Sequence, residues 1–325
     1  MKVIEVQNQG KNSTLILGNR PIPKISPDEV LIKVHTSGVN RADIFQKQGL
    51  YPPPQGVSDV LGLEVCGIIE KKGSKVQGFN VGDKVCALLE GGGYASYAKA
   101  YYKQIFPLPD NLNFIEGASL PEALYTAYSN MFHYAKLKRG ESLFMHGGTS
   151  GIGVFVAQIA HNFGIDFYTS VGSDDKLRFI SNLTKCHAVN YNKNDFVQWI
   201  KEKTASRGVN VIIDIVGGDY FQRNIKCLSV GGRLICLSFL KGANIDANIA
   251  PIVFKELTIM GSTLRSKNKK EKALITKGLM KNLWPLLQQG AIKPIISGVF
   301  SIEEIALAHK KMESGDNIGK IILKF

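Results

Sequence analysis

The chain has 325 residues, 44% of them hydrophobic, which is enough apolar content for more than one core, so two domains are expected. No apolar run approaches the roughly eighteen residues needed to cross a bilayer, and the start, MKVIEVQNQG, lacks an apolar stretch of signal-peptide length, so the expectation is a soluble, cytoplasmic protein. Five cysteines without C-x-x-C spacing and six scattered histidines argue against a disulfide framework or a metal cluster, while the net charge of +13 leaves an anionic partner open.

Up to residue 120, EVLIKVHTSGV, EVCGIIEKKG, GDKVCALL and YASYAKA are short β-type runs separated by Gly, Pro, Asn and Asp. They predict a compact, mostly β domain. The glycine-rich EGGGYA reads as a loop, because a strand rather than a helix follows it.

From Glu141 to about Thr263 the pattern changes. SLFMH precedes a predicted helix from about Gly151 to Phe163, with Ile152, Phe155, Val156, Ile159 and Phe163 on one face. DFYTSV leads to a helix near Asp174, AVNY to one over Asp195–Thr204, and VNVIIDIV to one over Asp219–Leu228; GRLICLSF and LTIMGST complete the series. Parallel neighbours need long crossovers, so six such strands predict a doubly wound α/β sheet of the nucleotide-binding type.

The densest basic stretch, Leu264 to Lys281, reads as the solvated face of a helix starting near Lys269. It lacks the interleaved aromatics of a single-strand nucleic-acid platform. From about Pro294 the β style returns with PIISGVF, a helix over Ile302–Met312 and the closing strand KIILKF. Both chain ends are therefore expected to form one discontinuous domain, 1–121 with 266–325, with the α/β domain, 122–265, inserted.

The chemistry concentrates in FMHGGTSGIGVFVAQIA, Phe144 to Ala160. A strand, a glycine-rich turn and a helix start present free backbone N–H groups and the positive end of a helix dipole to a phosphate. GGTSGIG is not a literal G-x-G-x-x-G, since Ser150 holds the middle glycine position, but the strand–turn–helix context favours phosphate binding. An NAD-selective site usually ends its second strand on an acid that binds the ribose 2′-hydroxyl. Here that strand runs into Val171-Gly172-Ser173, followed by Asp174 and Asp175 in the first helical turn and then Lys176. Ser173 and Lys176, with Tyr191 after the third strand, suit a 2′-phosphate, so NADPH is expected over NADH.

GVNRADIFQKQGLYPPP, LGLEVCG, GDKVCALLEGGGYA, PEALYTAY, HGGTSGIG, GSDDKL, NYNKNDF, STLRS and NIGKIIL occur in one order along essentially the whole chain. In this the chain resembles the medium-chain dehydrogenase/reductases, specifically their zinc-free quinone oxidoreductase branch of the p53-inducible and zeta-crystallin types. The resemblance implies a GroES-like domain, a Rossmann domain and an active site in the cleft between them. Where the zinc enzymes carry G-H-E and a catalytic cysteine, this chain has Gly62-Leu63-Glu64 and Val39-Asn40-Arg41, so no metal is expected.

The implied activity is NADPH-dependent reduction of quinones by hydride transfer without a metal, with Asn40 and Tyr51 polarising the acceptor. The same logic admits an enone or alkenal double-bond reductase, and a different class of reading is a nucleotide-gated RNA-binding or structural protein of the same fold. By resemblance, Ser150, Gly151 and Ile152 approach the pyrophosphate and Thr126 lies near the nicotinamide. Phe239, Leu240, Leu264 and Arg265 wall its pocket, Asn317 closes it, and Gly172 and Gly217 line the cofactor. A homodimer formed through LTIMGST is expected.

Overall fold

A computed structural model describes all residues, Met1 to Phe325. The chain folds into two compact units, Met1–Tyr125 with Leu264–Phe325, and Thr126–Thr263. The first boundary lies inside the helix Pro121–Tyr128.

The first unit is built on a seven-stranded sheet. Along it lie Ile296–Ser301, Lys320–Lys324, Glu29–Val39, Glu64–Lys72, Lys84–Leu88 and Ile105–Pro107, and Tyr97–Tyr101 also pairs with Glu29–Val39. A hairpin of Lys2–Gln7 and Thr14–Asn19, which the sequence did not suggest, stands apart as a two-stranded sheet. The strand Glu29–Val39 is buried along nearly its whole length on both faces. One side packs Val30, Ile32 and Val34 against Val65, Ile69, Val85 and Ala87, and the far end brings Val39 to Ile4, Leu61, Ile321 and Leu323.

Register decides what meets beyond those apolar layers. The closing strand runs antiparallel to Glu29–Val39 with Ile321 opposite Val39, so Lys320 faces Asn40. On the other side Ser37 pairs with Val65, which sets Glu64 beside Gly38.

The second unit is a six-stranded, all-parallel sheet in the spatial order His187–Asn190, Asp166–Val171, Ser142–His146, Val209–Asp214, Leu228–Cys236, Thr258–Gly261. Counting strands along the unit, the order is 3-2-1-4-5-6, the doubly wound arrangement whose ligand crevice opens at the carboxyl ends of strands 1 and 4. Helices Gly153–Phe163, Asp174–Thr184, Phe196–Lys203 and Tyr220–Cys227 make the crossovers. Ser173 and Asp195 cap two of them by accepting backbone N–H bonds, and Gly164, at φ 67°, ends the first.

Two expectations need correction. The helix after the glycine turn begins at Gly153, two residues late, and is buried from Gly153 through Ala160 rather than along one face, because VFVAQIA carries no polar side except Gln158. The basic helix, Lys269–Asn282, is not wholly solvated: Lys272 is only 2% exposed and its amine pairs with Glu90 at 2.9 Å. Its long aliphatic stem and single charge allow burial once a carboxylate waits at the end.

Candidate functional site

In the parallel-sheet unit the residues singled out in the sequence gather at the carboxyl ends of its strands. The turn Gly147–Ile152 leaves the strand Ser142–His146 through Gly147 at φ 75°. A Cβ on Gly148 would lie 2.2 Å from the Thr169 hydroxyl oxygen, and one on Gly153 would lie 2.4 Å from the Gly147 carbonyl. These glycines are required for close packing of turn, strand and helix. Ser150 Oγ accepts the Gly153 N–H at 3.0 Å, while the N–H groups of Gly151 and Ile152 have no partner in the chain. Two unpaired donors at a helix start form an anion cradle.

The neighbouring strand ends at Gly172 and Ser173. Asp174, the nearer acid, is committed elsewhere: Lys193 Nζ lies 2.6 Å from its Oδ2 and Asn190 Nδ2 donates to its Oδ1 at 2.7 Å. The Lys193 ammonium, then Asn190, holds this carboxyl below the usual range. Asp175 pairs with Arg178. Asn192 donates to the Gly172 carbonyl at 2.7 Å, and Tyr191 is 44% exposed with its hydroxyl beside Gly172. Ser173 Oγ accepts the Lys176 backbone N–H at 3.3 Å, and Tyr191 lies beside Gly172, at a strand tip whose two acids are both paired with cations.

At the end of the fourth strand Asp214 is buried, and burial raises its pKa although it accepts the N–H groups of Val216, at 2.7 Å, and Gly217. That clasp shapes the loop in which Gly217, at φ 68°, passes close to Phe239. Phe239 and Leu240 are exposed beyond the fifth strand, and Thr126 is buried, with its carbonyl accepting from Asn130.

In the β-rich unit Arg265 holds the loop that carries Tyr51. Its guanidinium donates to the Tyr51 carbonyl at 2.9 Å, to Gln46 Oε1 and to the Glu90 carbonyl, and lies 4.7 Å from the centre of the Tyr51 ring. Burial lowers the Arg265 pKa. Asn317 turns its amide onto the Gly319 carbonyl, and Leu264 is half-buried. The Asn40 amide, 7% exposed, donates to Glu64 Oε1 at 2.9 Å and accepts from Lys320 Nζ at 2.6 Å.

Sequence reasoning missed Lys193, Asn190 and Asn192, although NYNKNDF is dense in polar side chains where a strand ends. It also passed over Glu64 and Lys320 as functional residues, whose signal was a charge inside an otherwise apolar strand in LGLEVCG and IGKIIL. No group of three or more His, Cys, Asp or Glu side chains is placed to hold a metal ion.

Residues 26–110 match the alcohol dehydrogenase GroES-like domain, and residues 151–277 match a domain described as zinc-binding dehydrogenase. A quinone oxidoreductase from Mus musculus is 33% identical over 307 residues, covering 93% of this chain and 90% of its own. The chain belongs to the quinone oxidoreductase family of medium-chain dehydrogenase/reductases. Among solved structures, the human synaptic vesicle membrane protein VAT-1 homolog-like protein is 26% identical with a TM-score of 0.84, covering 100% of this chain and 98% of its own. Escherichia coli quinone oxidoreductase complexed with NADPH shares the fold at a TM-score of 0.87 and 24% identity, each chain fully covered. No helix is long and apolar enough to cross a membrane.

Proposed function

We propose that the protein reduces quinones with NADPH, by hydride transfer and without a metal. The observation that carries the cofactor choice is the pairing of Asp174 and Asp175 with Lys193 and Arg178, which offsets the two negative charges beside Ser173, Lys176 and Tyr191, the residues this reading assigns to a 2′-phosphate. Gly151 and Ile152 offer their N–H groups, and Ser150 its hydroxyl, to the pyrophosphate; Thr126, Gly217, Phe239 and Leu240 are the further residues of the parallel-sheet unit that this reading assigns to the cofactor. Bound NADPH supplies the hydride.

The chain's own task is to place and polarise the acceptor. Tyr51 and Asn40 donate hydrogen bonds to a carbonyl oxygen as it gains negative charge, and solvent delivers the proton that completes the hydroquinone. Neither Asn40 nor Leu63 is a zinc ligand, and the neighbouring carboxylate, Glu64, is already engaged by Lys320. Quinones suit such a site because they are electrophilic without a Lewis acid, and the curated relatives are named for them.

The edge strand Thr258–Gly261 is partly exposed, and Val230, Ile249, Val253 and Phe254 stand exposed in the same unit. An unpaired strand edge with apolar neighbours supports a homodimer. Five free thiols suit the reducing cytoplasm.

The test is steady-state oxidation of NADPH, with NADH in parallel, using 1,2-naphthoquinone. Turnover with a preference for NADPH is the expected result. If NADPH binds but no quinone is reduced, the acceptor assignment falls, and enones, then oligonucleotides, become the ligands to try.

A further inference from the structure

Lys320 and Glu64 form an ion pair deep in the β-rich unit, with Glu64 0% and Lys320 2% exposed. The second Glu64 oxygen accepts the Glu122 N–H at 2.8 Å, so both carboxylate oxygens are engaged. Space for this carboxylate exists only because residue 38 is glycine: a Cβ there would lie 2.1 Å from Glu64 Oε1. Burying two charges is costly, and such pairs are often replaceable by apolar side chains without loss of stability. Fold stability alone is therefore a weak reason for this one.

What the pair does is fix the Asn40 amide. A lysine ammonium only donates and a carboxylate only accepts, so Lys320 selects Oδ1 and Glu64 selects Nδ2. The opposite flip would set an N–H against an ammonium and an oxygen against a carboxylate. The Asn40 backbone is held as firmly, its N–H donated to the buried Asp43 carboxylate at 2.8 Å. One amide N–H of Asn40 is committed to Glu64, which leaves the second as its one remaining donor.

We propose that Lys320 and Glu64 are positioning residues for quinone reduction: their buried ion pair locks the Asn40 amide so that its second N–H is donated to the acceptor oxygen. This rests on the reading of Asn40 as a polarising group. It also explains why buried charges stand at the first positions of the strands Glu64–Lys72 and Lys320–Lys324, at registers that converge on residue 40.

The test is a mutant cycle in the full-length protein. Lys320→Met/Glu64→Leu removes both charges while keeping apolar bulk, and Lys320→Met/Glu64→Gln keeps hydrogen bonding but lets Asn40 take either flip. Melting curves and NADPH affinity identify the variants that fold. In these, kcat with 1,2-naphthoquinone is expected to fall by about 10- to 100-fold, as for a misplaced reacting group, with NADPH affinity unchanged. Because the pair acts through Asn40, its replacement is expected to cost nothing further in an Asn40→Ala background, whereas a purely structural role gives additive losses. Wild-type kcat in either folded pair variant, or additive losses, overturns the proposal while the Asn40 reading stands. Should Asn40→Ala alone leave kcat unchanged, the Asn40 reading falls and this inference falls with it.

Discussion

In the β-rich unit three charged side chains, Asp43, Glu64 and Lys320, lie fully inside the fold, joined through Asn40. The parallel-sheet unit treats buried polarity differently. Its buried titratable nitrogen is a histidine, His146, whose ring nitrogens bond Ser170 and Asn224 at 2.8 Å among Phe144, Phe196 and Tyr220, and its buried carboxylate, Asp214, takes backbone N–H groups rather than a cation. The contrast follows from what each unit must present. Orienting a single amide demands fixed charges on both sides of it, whereas cradling a phosphate demands backbone donors left unpaired and charges kept at the rim.

The largest effect should come from breaking the charge pair on one side only. Lys320→Met leaves Glu64 buried without a cation and is expected to destabilise the β-rich unit by about 3–5 kcal/mol, read by denaturant unfolding. The matched insult to the other unit is Gly148→Val, whose side chain must enter the space of Thr169. It is expected to cost about 1–3 kcal/mol and to weaken NADPH binding, measured by fluorescence titration.

Acid separates the units further. Burial pushes His146 down to about 4, with the Asn224 hydrogen bond only partly opposing it. The unfolded chain, with an ordinary imidazole near pH 6.5, takes up its proton first as pH falls. Stability of the parallel-sheet unit is therefore lost below pH 6.5 and levels off near pH 4, a loss of about 2 kcal/mol by pH 5. In the β-rich unit two shifts of opposite consequence meet. Burial lowers His309 to about 3, which destabilises below pH 6.5, but burial also raises Asp43 to about 6. As pH falls through 6 the folded state takes up the Asp43 proton first, a gain that is complete near the ordinary aspartate value of about 3.9 and offsets most of the His309 loss at pH 5. His146→Asn should flatten the acid limb of the melting profile, and His309→Gln should remove a loss of about 2 kcal/mol at pH 5, leaving the Asp43 gain unopposed so that the β-rich unit becomes more stable as pH falls through 6.

The smallest effect sits at the rim. Lys176→Ala is expected to raise KM for NADPH about tenfold, the worth of one charge-assisted hydrogen bond, with no change for NADH. Lys193→Ala exposes the Asp174 charge and should shift preference the same way.

Much of this was legible in the sequence because it depends on local pattern. The six parallel strands announced themselves by alternating apolar runs and helical faces, and the glycine turn by small residues between them. The pairing of Asp174 was not legible, since Lys193 reaches it across a gap of 19 residues. Nor was the Asn40 network: Lys320 meets Asn40 over a separation of 280 residues, and only the register of the closing strand brings them together. The buried Lys272 was misread because a helix face dense in lysine looks solvated until its carboxylate partner, Glu90, is placed.

The division of labour itself is tested most directly by crossing the two sites in one kinetic experiment: kcat and KM for NADPH, with 1,2-naphthoquinone as acceptor, in Tyr51→Phe, Lys176→Ala and the double variant. The account predicts that Tyr51→Phe lowers kcat and leaves KM for NADPH alone, that Lys176→Ala does the reverse, and that the double variant shows both losses in full. A Tyr51→Phe enzyme with wild-type kcat, or a Lys176→Ala enzyme with unchanged discrimination between NADPH and NADH, would contradict it.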